Sequence, residues 1–188
     1  MSDLPFTSQS TTDALPVGVS LRQLPSEQDG MGKTTALYRR DWPLNLAPVQ
    51  WNLVSNRPNT LRGVHVHHTH WDYLCLLSGE MLLGLHDMRP HSATYRRAVL
   101  HRLAGDTPTS IVIPPGVAHG FYFALESTHC YAVSQYWNPS DELGCRWDDP
   151  MLGLAWPTSD PLLSPRDATA PSYEELARDL MAQTPGLS

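Results

Sequence analysis

Apolar residues in the middle of this chain fall in short unbroken runs rather than at helical spacing. Tyr73-Leu74-Cys75-Leu76-Leu77 and Met81-Leu82-Leu83-Gly84-Leu85 flank Ser78-Gly79-Glu80, which predicts two buried strands joined as a tight hairpin. Ser110-Ile111-Val112-Ile113 predicts a strand that ends in the rigid turn Pro114-Pro115-Gly116. Phe121 to Leu125 and Cys130 to Ser134 predict two more, so the dense β region runs from Leu61 to Tyr136. From Val17 to Asn56, shorter strand-like pieces alternate with turn signals. Helical character is confined to the end, where Ser172 and Glu175 make a capping box ahead of Leu176, Leu180 and Met181. Many strands and one late helix predict an all-β barrel or sandwich with a short C-terminal helix. Residues 1–16 are rich in Ser, Thr and Pro without periodicity, and read as a flexible tail or dimer arm before a single domain over 17–188.

Composition narrows the function classes. The 188 residues are enough to bury a real core, and 17 prolines with 12 glycines fit the turn-rich pattern. The formal net charge is -6, and no basic cluster exceeds the pairs Arg39-Arg40 and Arg96-Arg97, which argues against a nucleic-acid partner. The apolar runs are too short for a membrane span, and the N-terminus lacks the basic start and apolar run of a signal peptide. Three widely spaced cysteines, Cys75, Cys130 and Cys145, fit free thiols in a reducing compartment, so a cytoplasmic protein is expected.

The chemistry concentrates in Arg62-Gly63-Val64-His65-Val66-His67-His68-Thr69-His70, with His119 following the Pro-Pro-Gly turn. Imidazole is both the usual general base near neutral pH and the commonest metal ligand. His65 and His67 are two apart, so on a strand they share a face. Together with Asp72, Gly79, Gly105, Pro114, Gly116 and His119, their spacing resembles the two-part signature of the cupin superfamily. That resemblance implies a double-stranded β-helix, the cupin jelly roll. In its metal-binding members two histidines, an acid and a third histidine hold a divalent ion, so His65, His67, Asp72 and His119 are candidate ligands for iron, manganese, nickel or zinc. Asp72 stands where a longer glutamate is usual. His68, His70, His86, His91, His101 and His129 read as structural or solvent-facing.

A more specific resemblance is carried by five ordered segments. These are Leu61-Arg62-Gly63-Val64-His65, Ile113 through Phe121, Gly144 through Pro150, Leu154-Ala155-Trp156-Pro157, and Leu163-Ser164-Pro165-Arg166-Asp167. They are similar, in order, to the dTDP-4-dehydrorhamnose 3,5-epimerase family, a metal-free branch of the cupins. That family inverts carbons beside the ketone of a 4-keto sugar on a nucleotide diphosphate: a base removes the acidified proton and an acid returns one to the opposite face. The resemblance implies His65 as base, Asp167 on its other nitrogen and Tyr131 as acid. It also implies Arg62 at the phosphates, Gln50, Asn52 and His119 around the sugar, and Trp137, in place of a tyrosine, near the thymine. It further implies no cofactor, a nucleotide-sugar substrate and a homodimer. Trp147, Asp148, Asp149 and Trp156 read as turn and core residues.

Three positions depart from the family. Asp72 aligns with a lysine beside the reacting ketone, His67 with a glutamine, and Met31 with an N-terminal arginine. The first two changes convert a metal-free pocket into the four-ligand pattern. Three readings follow: an epimerase or isomerase using His65, Asp167 and Tyr131; a metal-dependent cupin enzyme; or a sugar-binding relative without turnover. A ligated His65 could not also serve as free base, so the first two compete. Leu74, Leu76 and Ile111 are expected to form an apolar barrel floor, with the polar residues at one mouth.

Overall fold

A computed structural model of the chain describes residues 15–136, 138 and 141–182. One five-stranded sheet runs in the order β1 (Ser20–Gln23), β9 (Thr109–Ile113), β6 (Asp72–Ser78), β11 (Ser127–Val133) and β4 (Gln50–Asn56). The other runs β12 (Leu143–Gly144), β5 (Thr60–Val66), β10 (Val117–Phe123), β7 (Glu80–Asp87) and β8 (Ala98–Ala104). A small ribbon pairs β2 (Ser26–Gln28) with β3 (Lys33–Thr35). Every ladder between these strands is antiparallel. The all-β jelly roll with a short C-terminal helix is therefore the architecture.

Leu74, Leu76, Ile111 and Ile113 of the first sheet meet Met81, Leu83, Leu85 and Phe123 of the second, forming the expected apolar floor. Both sheets are also covered on their outer faces. The 37–46 segment packs Leu37, Trp42, Leu44 and Leu46 over Tyr73, Cys75, Val112 and Cys130. On the far side, Leu176 and Tyr173 of the C-terminal helix join Leu152, Trp147 and Trp156 against Val64, Val66 and Ala118. Burial on both faces explains why β6, β7 and β10 read as unbroken apolar runs instead of alternating ones.

The same burial explains one correction. Ser78-Gly79-Glu80 is not a hairpin: β6 pairs with β9 and β11, whereas β7 pairs with β8 and β10, so the three residues turn a corner between sheets. A run of buried residues reports burial, not which neighbour a strand chooses. The strand at Cys130 begins three residues earlier, at Ser127, and the one at Phe121 begins at Val117.

Three short helical pieces follow the strands. A 3-10 turn, Pro150–Leu152, is capped by Asp149, and α1 (Pro165–Ala168) by Ser164, whose side chain accepts from the Asp167 amide. α2 (Tyr173–Ala182) starts at the expected capping box, with the Ser172 amide donating to Glu175 Oε2 at 2.9 Å and the Glu175 amide to Ser172 Oγ at 3.3 Å. No helix among the described residues is long and apolar enough to cross a membrane. Residues 1–14, most of the expected tail, lie outside the described residues.

β5 and β10 approach most closely at Gly63, which has φ +107°; a Cβ there would lie 2.8 Å from the His119 carbonyl oxygen and 2.9 Å from the Gly120 Cα. Both neighbours are backbone, so neither can swing aside. Gly63→Ala should therefore lower the stability by about 1–3 kcal/mol, read as a lower urea midpoint with an unchanged slope.

Candidate active site

The two sheets enclose a cavity of about 310 Å³ whose walls come from both. β4 and β11 contribute Gln50, Asn52 and Tyr131; β5 and β10 contribute Arg62, His65 and His119. Asp167 enters from α1, and Asp72 from the start of β6. Seven residues singled out in the sequence for substrate or proton chemistry thus share one cavity. Trp137 lies outside the described residues, and Met31 sits 94% exposed in the β2–β3 turn, not on the cavity wall.

His65 Nε2 lies 2.7 Å from Asp167 Oδ1. That nitrogen therefore carries the proton, which leaves Nδ1 of the neutral ring as the basic atom. Gly144 on β12 makes room for the ring: a Cβ there would stand 2.6 Å from the Val64 carbonyl and 3.3 Å from His65 Cδ2. Burial tends to raise the Asp167 carboxyl, but the hydrogen bond and charge of His65, the Ser164 hydroxyl and the Gly63 amide hold it below its ordinary value. Asp167 is thus an anion that fixes one tautomer of His65.

A second cluster occupies the same cavity. Asp72 Oδ2 lies 3.4 Å from His67 Nε2 and 3.5 Å from His119 Nε2, and Asp72 Oδ1 lies 3.7 Å from His70 Nε2. The opposite nitrogen of each ring donates outward. His67 Nδ1 donates to the Asp141 carbonyl at 3.1 Å, His70 Nδ1 to Asp141 Oδ2 at 2.8 Å, and His119 Nδ1 to the Val117 carbonyl at 3.1 Å. Asp141 also accepts from the His68 amide and the Thr69 hydroxyl, so it gathers the whole 67–70 turn. His67 and His70 stack with centroids 3.7 Å apart.

Burial, reinforced by His70, pushes His67 down to about 3, and burial with His67 holds His119 well below the imidazole range. Burial, Glu142 and Asp141 drive Asp72 well above the carboxylate range. The four-residue metal set expected from the sequence is corrected here. The atoms that converge belong to His67, Asp72 and His119, all buried, and to an overlapping, less buried group of His67, His70 and Glu142, while His65 is taken by Asp167. His70, read as structural from its odd position, replaces it beside Asp72 because the chain leaves β5 at Val66 and turns.

A third network supports Arg62. Its Nε donates to Asn56 Oδ1 at 2.7 Å, and Asn56 Nδ2 donates to the Ser127 carbonyl and to His129 Nδ1 at 3.0 Å. His129, also read as structural, lines the cavity and is held neutral: burial, then Arg62, pushes it down to about 4. Burial, with Glu142 and Asp72 nearby, raises the Tyr131 phenol above its ordinary value. Asn52 Oδ1 accepts from Gln50, but Asn52 Nδ2 is a buried donor without a hydrogen-bond partner among the described residues. Such a donor on a cavity wall is suited to a ligand oxygen. Arg166, beside Asp167, lines the mouth and pairs with Glu142 at 2.7 Å. Asp141 and Glu142 lie in a segment without periodic pattern, and nothing in their spacing marked them. Outside the cavity, His86 donates to the Leu152 carbonyl and accepts from the Tyr173 hydroxyl.

The model of a protein family described as dTDP-4-dehydrorhamnose 3,5-epimerase matches residues 17–175. A dTDP-4-dehydrorhamnose 3-epimerase of Streptomyces niveus is 36% identical over 141 residues, covering 73% of this chain and 67% of that protein. A dTDP-4-dehydrorhamnose 3,5-epimerase of Neisseria gonorrhoeae is 29% identical over 81% of this chain, and the match spans about half (49%) of that protein. Among solved structures, a 4-keto-6-deoxy sugar epimerase from the novobiocin biosynthetic gene cluster of Streptomyces spheroides superposes with a TM-score of 0.79. It is 30% identical, and the match covers 87% of this chain and 86% of that one.

The neutral His129 has a consequence for pH. Its folded pKa of about 4 lies below the ordinary unfolded value of about 6.5, so between these limits the unfolded chain binds more protons. The stability contributed by keeping it neutral is whole above pH 6.5 and is lost as pH falls toward 4, by at most about 1.4 kcal/mol per pH unit. Urea titrations at pH 7 and pH 5 should show a smaller loss in His129→Gln than in the parent protein.

Proposed function

Because the chain belongs to the dTDP-4-dehydrorhamnose 3,5-epimerase family, we propose that it inverts a carbon beside the ketone of a 4-keto-6-deoxyhexose carried on a nucleoside diphosphate, dTDP by analogy with its relatives. The observation that carries the proposal is the position of the two proton-handling groups. His65 with Asp167 belongs to the β5 side of the cavity and Tyr131 to the facing sheet, on β11. A sugar ring between them presents one face to each, and inversion needs removal from one face and return to the other.

His65 Nδ1 takes the proton made acidic by the ketone, and the imidazolium that forms is stabilised by the Asp167 anion at 2.7 Å. Tyr131, raised above its ordinary value by burial and the nearby acids, keeps its proton until the enolate demands it. Asn52 Nδ2 and Gln50 supply polar contacts to sugar oxygens, and Arg62, braced by Asn56, supplies fixed positive charge to the diphosphate. His119 Nδ1 is committed to the Val117 carbonyl, so Nε2 is its atom that faces the cavity chemistry. Trp137 remains the family-based choice for stacking on the base. The proposed chemistry uses side chains alone for proton transfer.

Incubation with a dTDP-4-keto-6-deoxy sugar in heavy water should load deuterium beside the ketone. His65→Asn should lower both wash-in and inversion by about 10²–10⁴-fold. Tyr131→Phe should slow inversion more than wash-in, because the base still acts from its own face. Absence of exchange across several such substrates would sink the reading.

The family also supports a homodimer. β4 is an edge strand of its sheet and leaves Trp51 44% and Leu53 70% exposed on the face away from the cavity. Sedimentation should give about twice the 21.0 kDa chain mass, and Leu53→Lys should shift it toward one.

A further inference from the structure

The Asp72 cluster is built from atoms that repel each other unless something positive lies between them. His67, His70 and His119 each spend Nδ1–H on an outward acceptor, so in the neutral ring each Nε2 is a lone pair. All three lone pairs face the Asp72 carboxylate, whose oxygens are acceptors too. The groups are at least nine-tenths buried: His67 6%, His70 4%, Asp72 6% and His119 4% exposed. Water cannot screen them as it would at a surface.

The spacing discriminates between the two positive species that would satisfy the cluster. A proton shared between oxygen and nitrogen draws the heavy atoms to about 2.7–3.0 Å. The separations here are 3.4 Å and 3.5 Å. Two ligands held by one ion at bond lengths near 2.1 Å in tetrahedral geometry stand about 3.4 Å apart. His67 Nε2, Asp72 Oδ2 and His119 Nε2 all lie within 4.8 Å of one another, as one coordination sphere requires. The outward hydrogen bonds to Asp141 and Val117 also orient the rings as metal-bound imidazoles are commonly oriented.

We infer that His67, Asp72 and His119 form a binding site for one divalent first-row transition ion, separate from the His65–Asp167 pair in the same cavity. Two imidazoles and one carboxylate favour zinc, iron, nickel or manganese over magnesium or calcium. His70 stacks on His67, and Asp141 holds the two stacked rings. His65 remains free of the ion, so the two readings that compete when His65 is a ligand become compatible.

The role of the site, though not its existence, rests on the epimerase reading. The cavity carries the acids Asp72, Glu142 and Asp167, an unfavourable lining for an enolate. Asp72 itself stands where related enzymes are expected to carry lysine. An ion held there restores the missing positive charge beside the ketone.

The test begins with tag-free protein stripped by chelator and dialysed, then titrated separately with Co²⁺ and Zn²⁺. One equivalent of Co²⁺ should bind and give visible d–d absorption of a low-coordinate nitrogen–oxygen site, with Zn²⁺ displacing it and raising the melting temperature. Asp72→Asn and His119→Gln should each weaken Co²⁺ binding at least 100-fold with circular dichroism unchanged. His65→Asn should keep full stoichiometry while losing the proton-exchange reaction. Failure of the parent protein to bind either ion more tightly than the double variant Asp72→Asn/His119→Gln would overturn the site. So would loss of binding in His65→Asn. Proton exchange assayed before and after reloading with Zn²⁺ separates the two proposals: exchange by protein that binds neither ion removes the metal site alone, and ion binding with no exchange in either the stripped or the reloaded protein removes the epimerase reading alone.

Discussion

Gly63 on β5 lies so close to Gly120 and the His119 carbonyl on β10 that β5 could not carry a side chain at the crossing. This backbone contact sets where both elements lie as they leave the core. Two residues beyond it along β5 comes His65, paired across the register with His119 on β10, where the ladder also shifts between His119 and Gly120. The dyad and the Asp72 cluster therefore start from the same few peptide units. The β5–β10 ladder and the close backbone approach at Gly63 together place them. The polar contacts then fix orientation: Asp167 for the His65 ring, Val117 for His119 and Asp141 for His67 and His70.

The cavity divides into two electrostatic regimes a few residues apart. At the mouth, Asp167 is an anion because a ring, a hydroxyl and an amide all donate toward it. Deeper in, Asp72 has acceptors around it and acidic neighbours, so burial dominates and its ordinary charge is unfavourable unless a cation lies beside it. Identical side-chain chemistry gives opposite behaviour because the directions of the surrounding N–H and lone-pair groups differ. Histidine makes this division possible: each ring has one nitrogen to commit outward, and the commitment decides what the other presents inward.

Much of this was legible in the sequence, for identifiable reasons. The apolar runs marked strands buried on both faces, and Ser172 with Glu175 marked the start of α2. His65 and Asp167, 102 positions apart, have no local relation, and only the ordered segments shared with a known family joined them. The corner at Ser78-Gly79-Glu80 read as a hairpin because burial patterns carry no partner information. His70 read as structural or solvent-facing because it falls outside the cupin spacing, but past Val66 the chain turns and stacks it on His67. Asp141 was invisible for a different reason. Its importance lies in two hydrogen bonds to rings some 70 positions away, and no property of its own neighbourhood encodes them.

The setting of Asp167 has a kinetic side. α1 is four residues long, too short to be stable by its own hydrogen bonds, and is held by the Ser164 cap, by Arg166 on Glu142, by Asp167 on His65 and by Leu162, whose carbonyl receives the Leu61 amide. Strands in a doubly covered sheet open only when the whole domain does, whereas a short segment outside the sheets, held largely by side-chain contacts, opens at lower cost. The carboxylate that orients the base therefore belongs to a softer cooperative unit than the base itself. Opening of this one turn would free His65 from its carboxylate while leaving the barrel folded, so activity is expected to fall on heating before the fold does.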